Sequence, residues 1–170
     1  MSVPVADLAS EERRLAALRR VELLDTPPEE VFDRLTQLAS SLLHVPVAVV
    51  ALVDAEREFF KSAVGLPTGW EERRETPRSI SLAQVAMLAK APLAIEDARK
   101  HPLVKDNPII PEWGVVSYAS VPLQTKDGHA IGSVYVADKV PRVWTEAEIS
   151  ALRTIANAAE TEIALRIEFR

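Results

Sequence analysis

The sequence predicts an α+β domain, on three observations. Two pairs of β-rich stretches, 46–53 with 58–64 and 118–124 with 131–137, are each closed by a short polar turn, so their strands should be antiparallel neighbours. Apolar residues recur at helical spacing near both ends of the chain. A length of 170 residues with 48% hydrophobic content suits one domain, 1–170, able to bury about 70% of its unfolded surface.

The second hairpin organises the rest. Its turn contains Asp127-Gly128, a dipeptide that tolerates the positive φ of a tight hairpin. Gly132, early in the returning strand, lets the backbone bulge or a neighbour approach closely. Pro122 lacks the N–H of a ladder bond and is expected at a bulge or an unpaired position.

At the start of the chain, residues 1–9 are expected to be flexible and Ser10 to cap a first helix, with Glu11 and Glu12 at its positive end. Leu15, Leu18, Val21 and Leu24 form its apolar stripe. Arg13, Arg14, Arg19 and Arg20 form a solvated face within ion-pair reach of Glu11, Glu12 and Glu22. Thr26-Pro27-Pro28-Glu29 opens a second helix, whose Phe32, Leu35, Leu38, Ala39 and Leu42 mark one face before Val45-Pro46 stops it. Residues 46–53 are apolar on both faces, as in a covered central strand. Residues 68–80 read as a loop with one helical turn, 81–90 as a short helix and 92–95 as a short strand. Residues 96–112 read as an ordered flap anchored by Leu103, Val104, Ile109, Ile110 and the adjoining Trp113. A Thr145–Glu148 capping box then starts a helix to residue 170, roughly 37–39 Å long. That exceeds what a small sheet needs, so its surplus apolar surface is expected to meet another helix.

Composition removes several function classes. A net charge of −5, with no basic run longer than two, excludes a nucleic-acid footprint. The absence of cysteine excludes disulfides, thiolate metal sites and thioether-linked cofactors. His44, His101 and His129 are scattered, so neither a metal site nor a cofactor is expected. No apolar run is long enough to span a bilayer and no signal peptide is evident, so no membrane partner and a cytoplasmic location are expected. Asp54 with Glu56, and Glu96 with Asp97, are too close in sequence to converge as acid–base pairs. No nucleophile–base–orienter set accompanies them, so the chain is not expected to be an enzyme.

An ordered series of short motifs resembles the GAF domain family. It runs from Leu24-Asp25-Thr26-Pro27-Pro28-Glu29 and Phe32-Asp33-Arg34-Leu35, through Phe60-Lys61-Ser62, Glu75-Thr76-Pro77-Arg78, Asp97-Ala98 and Asn107-Pro108. It continues with Tyr118-Ala119-Ser120-Val121-Pro122-Leu123, Asp127-Gly128, Ile131-Gly132 and Asp138. The resemblance implies a central antiparallel sheet with N- and C-terminal helices on one face. On the other, the short helix and long connections would cover a pocket. It also implies a regulatory module of bacterial signal transduction that binds a small molecule or a signalling-protein partner and forms a homodimer through its terminal helices. This sequence departs from related ones at Ser81-Leu82-Ala83-Gln84-Val85, where a Ser-Phe-Cys-Ala-His-like string is common, and at Tyr135, often Cys. Bilin attachment and thiol-dependent sulfoxide reduction are therefore ruled out. The string expected of cyclic-nucleotide-binding members is also missing.

Ser81, Gln84, Asp97, Trp113, Tyr118 and Tyr135 are the candidate ligand-binding residues, since such pockets combine apolar walls with a few placed polar groups. The alternative for each is structural: Ser81 caps the short helix, Asp97 orders a turn, the tyrosines pack in the sheet and Trp113, like Trp70, anchors its connection. Leu15, Leu18, Ile149, Leu152, Ala156, Ala159 and Ile163 are the candidate dimer seam. The more apolar roof leaves two outcomes, a hydrophobic ligand or a pocket filled by its own side chains.

Overall fold

The computed structural model describes residues 5–169, with side chains from residue 8. Six strands, β1 (Val47–Val53), β2 (Arg57–Val64), β3 (Glu75–Pro77), β4 (Leu93–Ile95), β5 (Ser117–Gln124) and β6 (Ala130–Asp138), form one antiparallel sheet in the order β3-β2-β1-β6-β5-β4. Both hairpins form, and β1 is buried along its whole length, as an apolar strand covered on both faces must be. The Gly128 turn has φ 85°. Ile131 is skipped by the register between Leu123 and Gln124, so the expected bulge adjoins Gly132. Pro122 pairs with Ser133, beyond the reach of β4, which meets only Tyr118 to Ser120.

Three long helices cover one face: α1 (Val5–Val21), α2 (Glu30–Leu43) and α6 (Glu146–Glu168). Their buried residues, among them Leu18, Phe32, Ala39, Leu152 and Ala159, pack with Val50, Leu52, Val121, Val134 and Val136 of the sheet. The opposite face is covered by α3 (Trp70–Arg73), a 3-10 turn (Arg78–Ile80), α4 (Gln84–Ala89), α5 (Ile109–Trp113) and the stretches joining them. Among the described residues, no helix is long and apolar enough to cross a membrane, and no group of acidic or histidine residues could hold a metal ion.

Several local expectations are corrected. Helix α1 begins at Val5, so Ser10 lies inside it; of residues 1–9 expected to be flexible, 5–9 are helical and 1–4 fall outside the described residues. Thr26 does not cap α2. Pro28 keeps Pro27 from the helical region, so the helix starts at Glu30, while the Thr26 hydroxyl bonds Leu23 O and accepts from Lys61 Nζ. Leu103 is exposed, although Val104, Ile109, Ile110 and Trp113 anchor the flap as expected. Arg14 is not on a solvated face: it is 6% exposed and donates to Val53 O at 2.6 Å. At α6 the capping box forms in full, with Glu148 N–H to Thr145 Oγ1 at 3.1 Å and Thr145 N–H to Glu148 Oε1 at 2.9 Å. Trp144 Nε1 adds a bond to Ile95 O, tying the helix start to β4.

The far end of α6 is clamped through Glu29, which accepts Arg166 and, at 2.5 Å, the buried Lys61. The Arg166 guanidinium, with Lys61 second, holds the Glu29 carboxyl down from 4.5 to about 2. Its folded value lies below its unfolded one, so the clamp's contribution is present above pH 4.5 and lost as pH falls towards about 2. Glu29→Gln should therefore be less stable than the parent at pH 7, with the difference closing across that window in urea melts at stepped pH. Equal stability at neutral pH would mean the clamp contributes nothing.

Candidate functional site

The face away from the long helices is built around a side chain that belongs to none of the motifs above. Glu58 is 1% exposed in β2, two residues before Phe60, and both point to this face. Ser81 Oγ donates to Glu58 Oε1 at 2.6 Å and Ala83 N–H reaches the same oxygen at 3.1 Å. Tyr135 O–H donates to Oε2 at 2.6 Å. Burial pushes the carboxyl pKa up, and the Ser81, Tyr135 and Ala83 donors oppose it. Burial, reinforced by the nearby Glu58 charge, pushes the Tyr135 phenol well up too. The groups that oppose burial most at Glu58 are thus hydrogen-bond donors, from Ser81, Tyr135 and the Ala83 and Leu82 backbone.

Local sequence explains the convergence. The register of β5 and β6 sets Ser120 opposite Tyr135 and puts Tyr118 and Ser120 on the same face by alternation. Ser81 follows the 3-10 turn, and its hydroxyl accepts from the N–H groups of Ala83 and Gln84, each at 3.2 Å. Ser133 Oγ pins the roof by donating to Ala83 O at 2.7 Å. Trp113 meets Phe60 edge-on at 5.9 Å and Trp70 at 5.7 Å between ring centroids. Four buried polar atoms have no hydrogen-bond partner among the described residues: Tyr118 OH, Ser120 Oγ, Trp113 Nε1 and Thr76 Oγ1. Buried polar atoms are rarely left so, and the first three share this face.

Ser81, Tyr118, Tyr135 and Trp113 are thus brought together, and two other candidates are not. Gln84 turns its amide outward to Arg78 O at 2.8 Å. Asp97 orders its own turn, accepting from Arg99 N–H at 3.0 Å and from the Arg99 guanidinium at 2.9 and 2.8 Å. Ser81 is not the N-cap of α4, which is Ala83, but its hydroxyl accepts the first N–H of that helix from Gln84 while it joins the site. The tyrosine hydroxyls are buried rather than solvated. Surface clefts open elsewhere: one of about 320 Å³ is lined by Asp33, Thr36, Ser62 and Arg74, and one of about 610 Å³ by Glu11, Arg14, Arg78 and Met87.

The layered sheet and its covered face match known proteins. The family model for the GAF domain matches residues 27–163. The chain belongs to the GAF domain family. A cyclic di-GMP phosphodiesterase of Pseudomonas aeruginosa is 33% identical over 133 residues, or 78% of this chain; the match spans only 22% of that protein. Among solved structures, the GAF domain of an Acinetobacter phosphoenolpyruvate-protein phosphotransferase superposes with TM-score 0.65 at 19% identity, covering 96% of this chain and 95% of that one. A domain of a Sinorhizobium meliloti protein assigned as a two-component sensor histidine kinase gives 0.64 at 23% identity, covering 83% and 94%. At these identities the two structures speak for the fold.

Within this GAF domain the candidate dimer seam is largely interior. Leu18, Leu152, Ala156, Ala159 and Ile163 are each at most 2% exposed in the helix-face core, and Leu15 and Ile149 are half-buried. The helical rhythm that marked them reflects packing on the sheet and α2. The outer face of α6 instead presents Arg153, Thr154, Asn157, Ala158 and Thr161, and becomes apolar only near Leu165, Ile167 and Phe169.

Proposed function

We propose that this GAF domain is a non-enzymatic regulatory module of cytoplasmic signal transduction, sensing a small molecule at the Glu58 face and passing the response through its terminal helices. The observation that carries this reading is the trio of unpartnered buried groups, Tyr118 OH, Ser120 Oγ and Trp113 Nε1, on the face that holds the Glu58 carboxyl. Apolar walls with a few convergent polar atoms recognise small ligands. Catalysis is disfavoured by the absence of cysteine, by the hydrogen bonds that already engage both Glu58 oxygens, and by the placement of His44, His101 and His129 in a helix cap, a connection and a turn. Self-association is part of the proposal, now through the outer apolar end of α6 (Leu165 and Phe169, 44% and 80% exposed) rather than the buried seam. In a longer protein like the Pseudomonas phosphodiesterase, the output would be the activity of a neighbouring domain.

Native mass spectrometry of the freshly purified protein is the test. A dimer carrying an organic adduct that Tyr118→Phe weakens or removes is the expected result. A monomer at micromolar concentration overturns the self-association. A bare dimer, still bare after incubation with a metabolite extract, overturns the sensing. That outcome would favour a pocketless assembly scaffold, a second reading supported by clefts that open away from Glu58.

A further inference from the structure

We infer that the Glu11–Arg14–Arg78 cluster is a mechanical link between the interior Glu58 site and helix α1, so that a change at the site alters how α1 is held. The inference rests on the sensing reading for its purpose, while the linkage itself stands on geometry. An unbroken series of short bonds runs around the end of the sheet. Tyr135 and Ser81 each donate to Glu58 at 2.6 Å. Ser81 caps the end of the 3-10 turn that Arg78 begins, its N–H bonding Arg78 O at 3.0 Å, and Gln84 Nε2 braces the same carbonyl at 2.8 Å. The Arg78 guanidinium then leaves this face, donating to Glu11 Oε1 of α1 at 2.6 Å and to Asp54 O at 3.1 Å. Glu11 in turn holds Arg14 by two bonds of 2.9 Å.

Arg14 closes the circuit. It bonds Val53 O at the end of β1, and its Nη1 lies 3.5 Å from Sδ of Met87 in the roof helix. Val53 and Met87 both belong to the interior-face cluster, whereas Ala17, Leu18 and Val21 of α1 pack in the core on the other side of the sheet. Arg14 is therefore a buried cation spanning two layers. The Arg78–Glu11 bond is part-buried and the Arg14–Val53 bond is buried. Charge-assisted bonds in such surroundings are stronger and more directional than exposed ones, so a shift of the 3-10 turn is felt at α1. Both arginines favour the charged Glu11: Arg14 first, then Arg78, hold its carboxyl down from 4.5 to about 2.

Hydrogen–deuterium exchange of the whole chain, with no ligand added, tests the link. Ser81→Ala cuts it at the Glu58 end and Arg78→Gln in the middle; exchange in α1 is read relative to α2, which cancels any general loss of stability. Ser81→Ala should speed exchange in α1 by about five-fold or more. In the Arg78→Gln background, where α1 is already faster, adding Ser81→Ala should still change α4 but move α1 much less than it does alone, the Met87–Arg14 contact being the route that remains. An α1 rate unmoved by Ser81→Ala, or two effects on α1 that simply multiply, would overturn the link. Should Ser81→Ala fail to fold, Glu11→Gln reads the coupling in reverse: it should speed exchange across the 3-10 turn and α4, and unchanged rates there overturn the inference. A native spectrum still bare after incubation with a metabolite extract would defeat the sensing reading and leave these rates to stand or fall separately.

Discussion

Ala159→Glu should abolish the cooperative unfolding transition, while Ala158→Glu beside it should behave like the parent. Ala159 is fully buried between α6 and the helix-face core, so a glutamate there must place an unpaired carboxylate among apolar side chains or force α6 off the sheet. Burying a charge without a partner belongs to the few mechanisms that cost about 4 kcal/mol or more, a large share of a small domain's stability. Ala158 faces solvent, where a helix-forming glutamate should change stability by no more than about 0.5 kcal/mol. Urea melts followed by circular dichroism separate the two. Were Ala159 instead at a subunit seam, its glutamate variant would be a well-folded monomer with a near-parental midpoint. That outcome would sink the burial argument.

Gly132→Ala should be nearly as damaging, although it adds a single methyl group. A Cβ built at Gly132 would lie 1.9 Å from the carbonyl oxygen of Ala51 and 2.9 Å from the Cα of Leu52. Both are backbone atoms of β1, which Gly132 faces across the sheet's central pairing, so no side-chain rotation relieves the clash. The strands must separate or the bulge beside Ile131 must be rebuilt. Overpacking of this type costs about 3 kcal/mol, more where backbone has to move. A midpoint shift in thermal or urea melts well below that would show the sheet yields locally. Because Gly132 pairs with Leu52 and Leu123, which face the helix-side core, whereas Glu58 is bonded on the opposite face, a folded remnant of this variant should keep the Glu58 hydrogen bonds.

Local signals carried most of the fold into view. The Asp127-Gly128 turn, the double-sided apolarity of β1 and the Thr145–Glu148 box are each decided by a few adjacent residues, and each appears as expected. Errors arose where a distant partner overrode a local preference. The Thr26 hydroxyl has a helix to cap nearby, yet Lys61, 35 residues away, claims it. Arg14 lies in a run of arginines that reads as a solvated face, yet the Val53 carbonyl and Glu11 draw it inward. Glu58 was invisible for the same reason. A glutamate entering a strand from a turn looks solvated, and only Ser81 and Tyr135, 23 and 77 residues further on, make it a buried acceptor. The one clue in sequence is its position two residues before Phe60, on the face that Phe60 buries.

The sheet ends on each side in a strand of only three residues, and one of these closes on Pro77. Past β3, the outer part of β2 is interrupted by a bulge at Lys61, whose amine is turned inward to Glu29. Truncated margins, a proline and a kink with a charged side chain are features that deny an incoming strand a straight template. Copies of this domain can therefore be crowded together, or strung along a longer polypeptide, with little tendency to zip into fibrils.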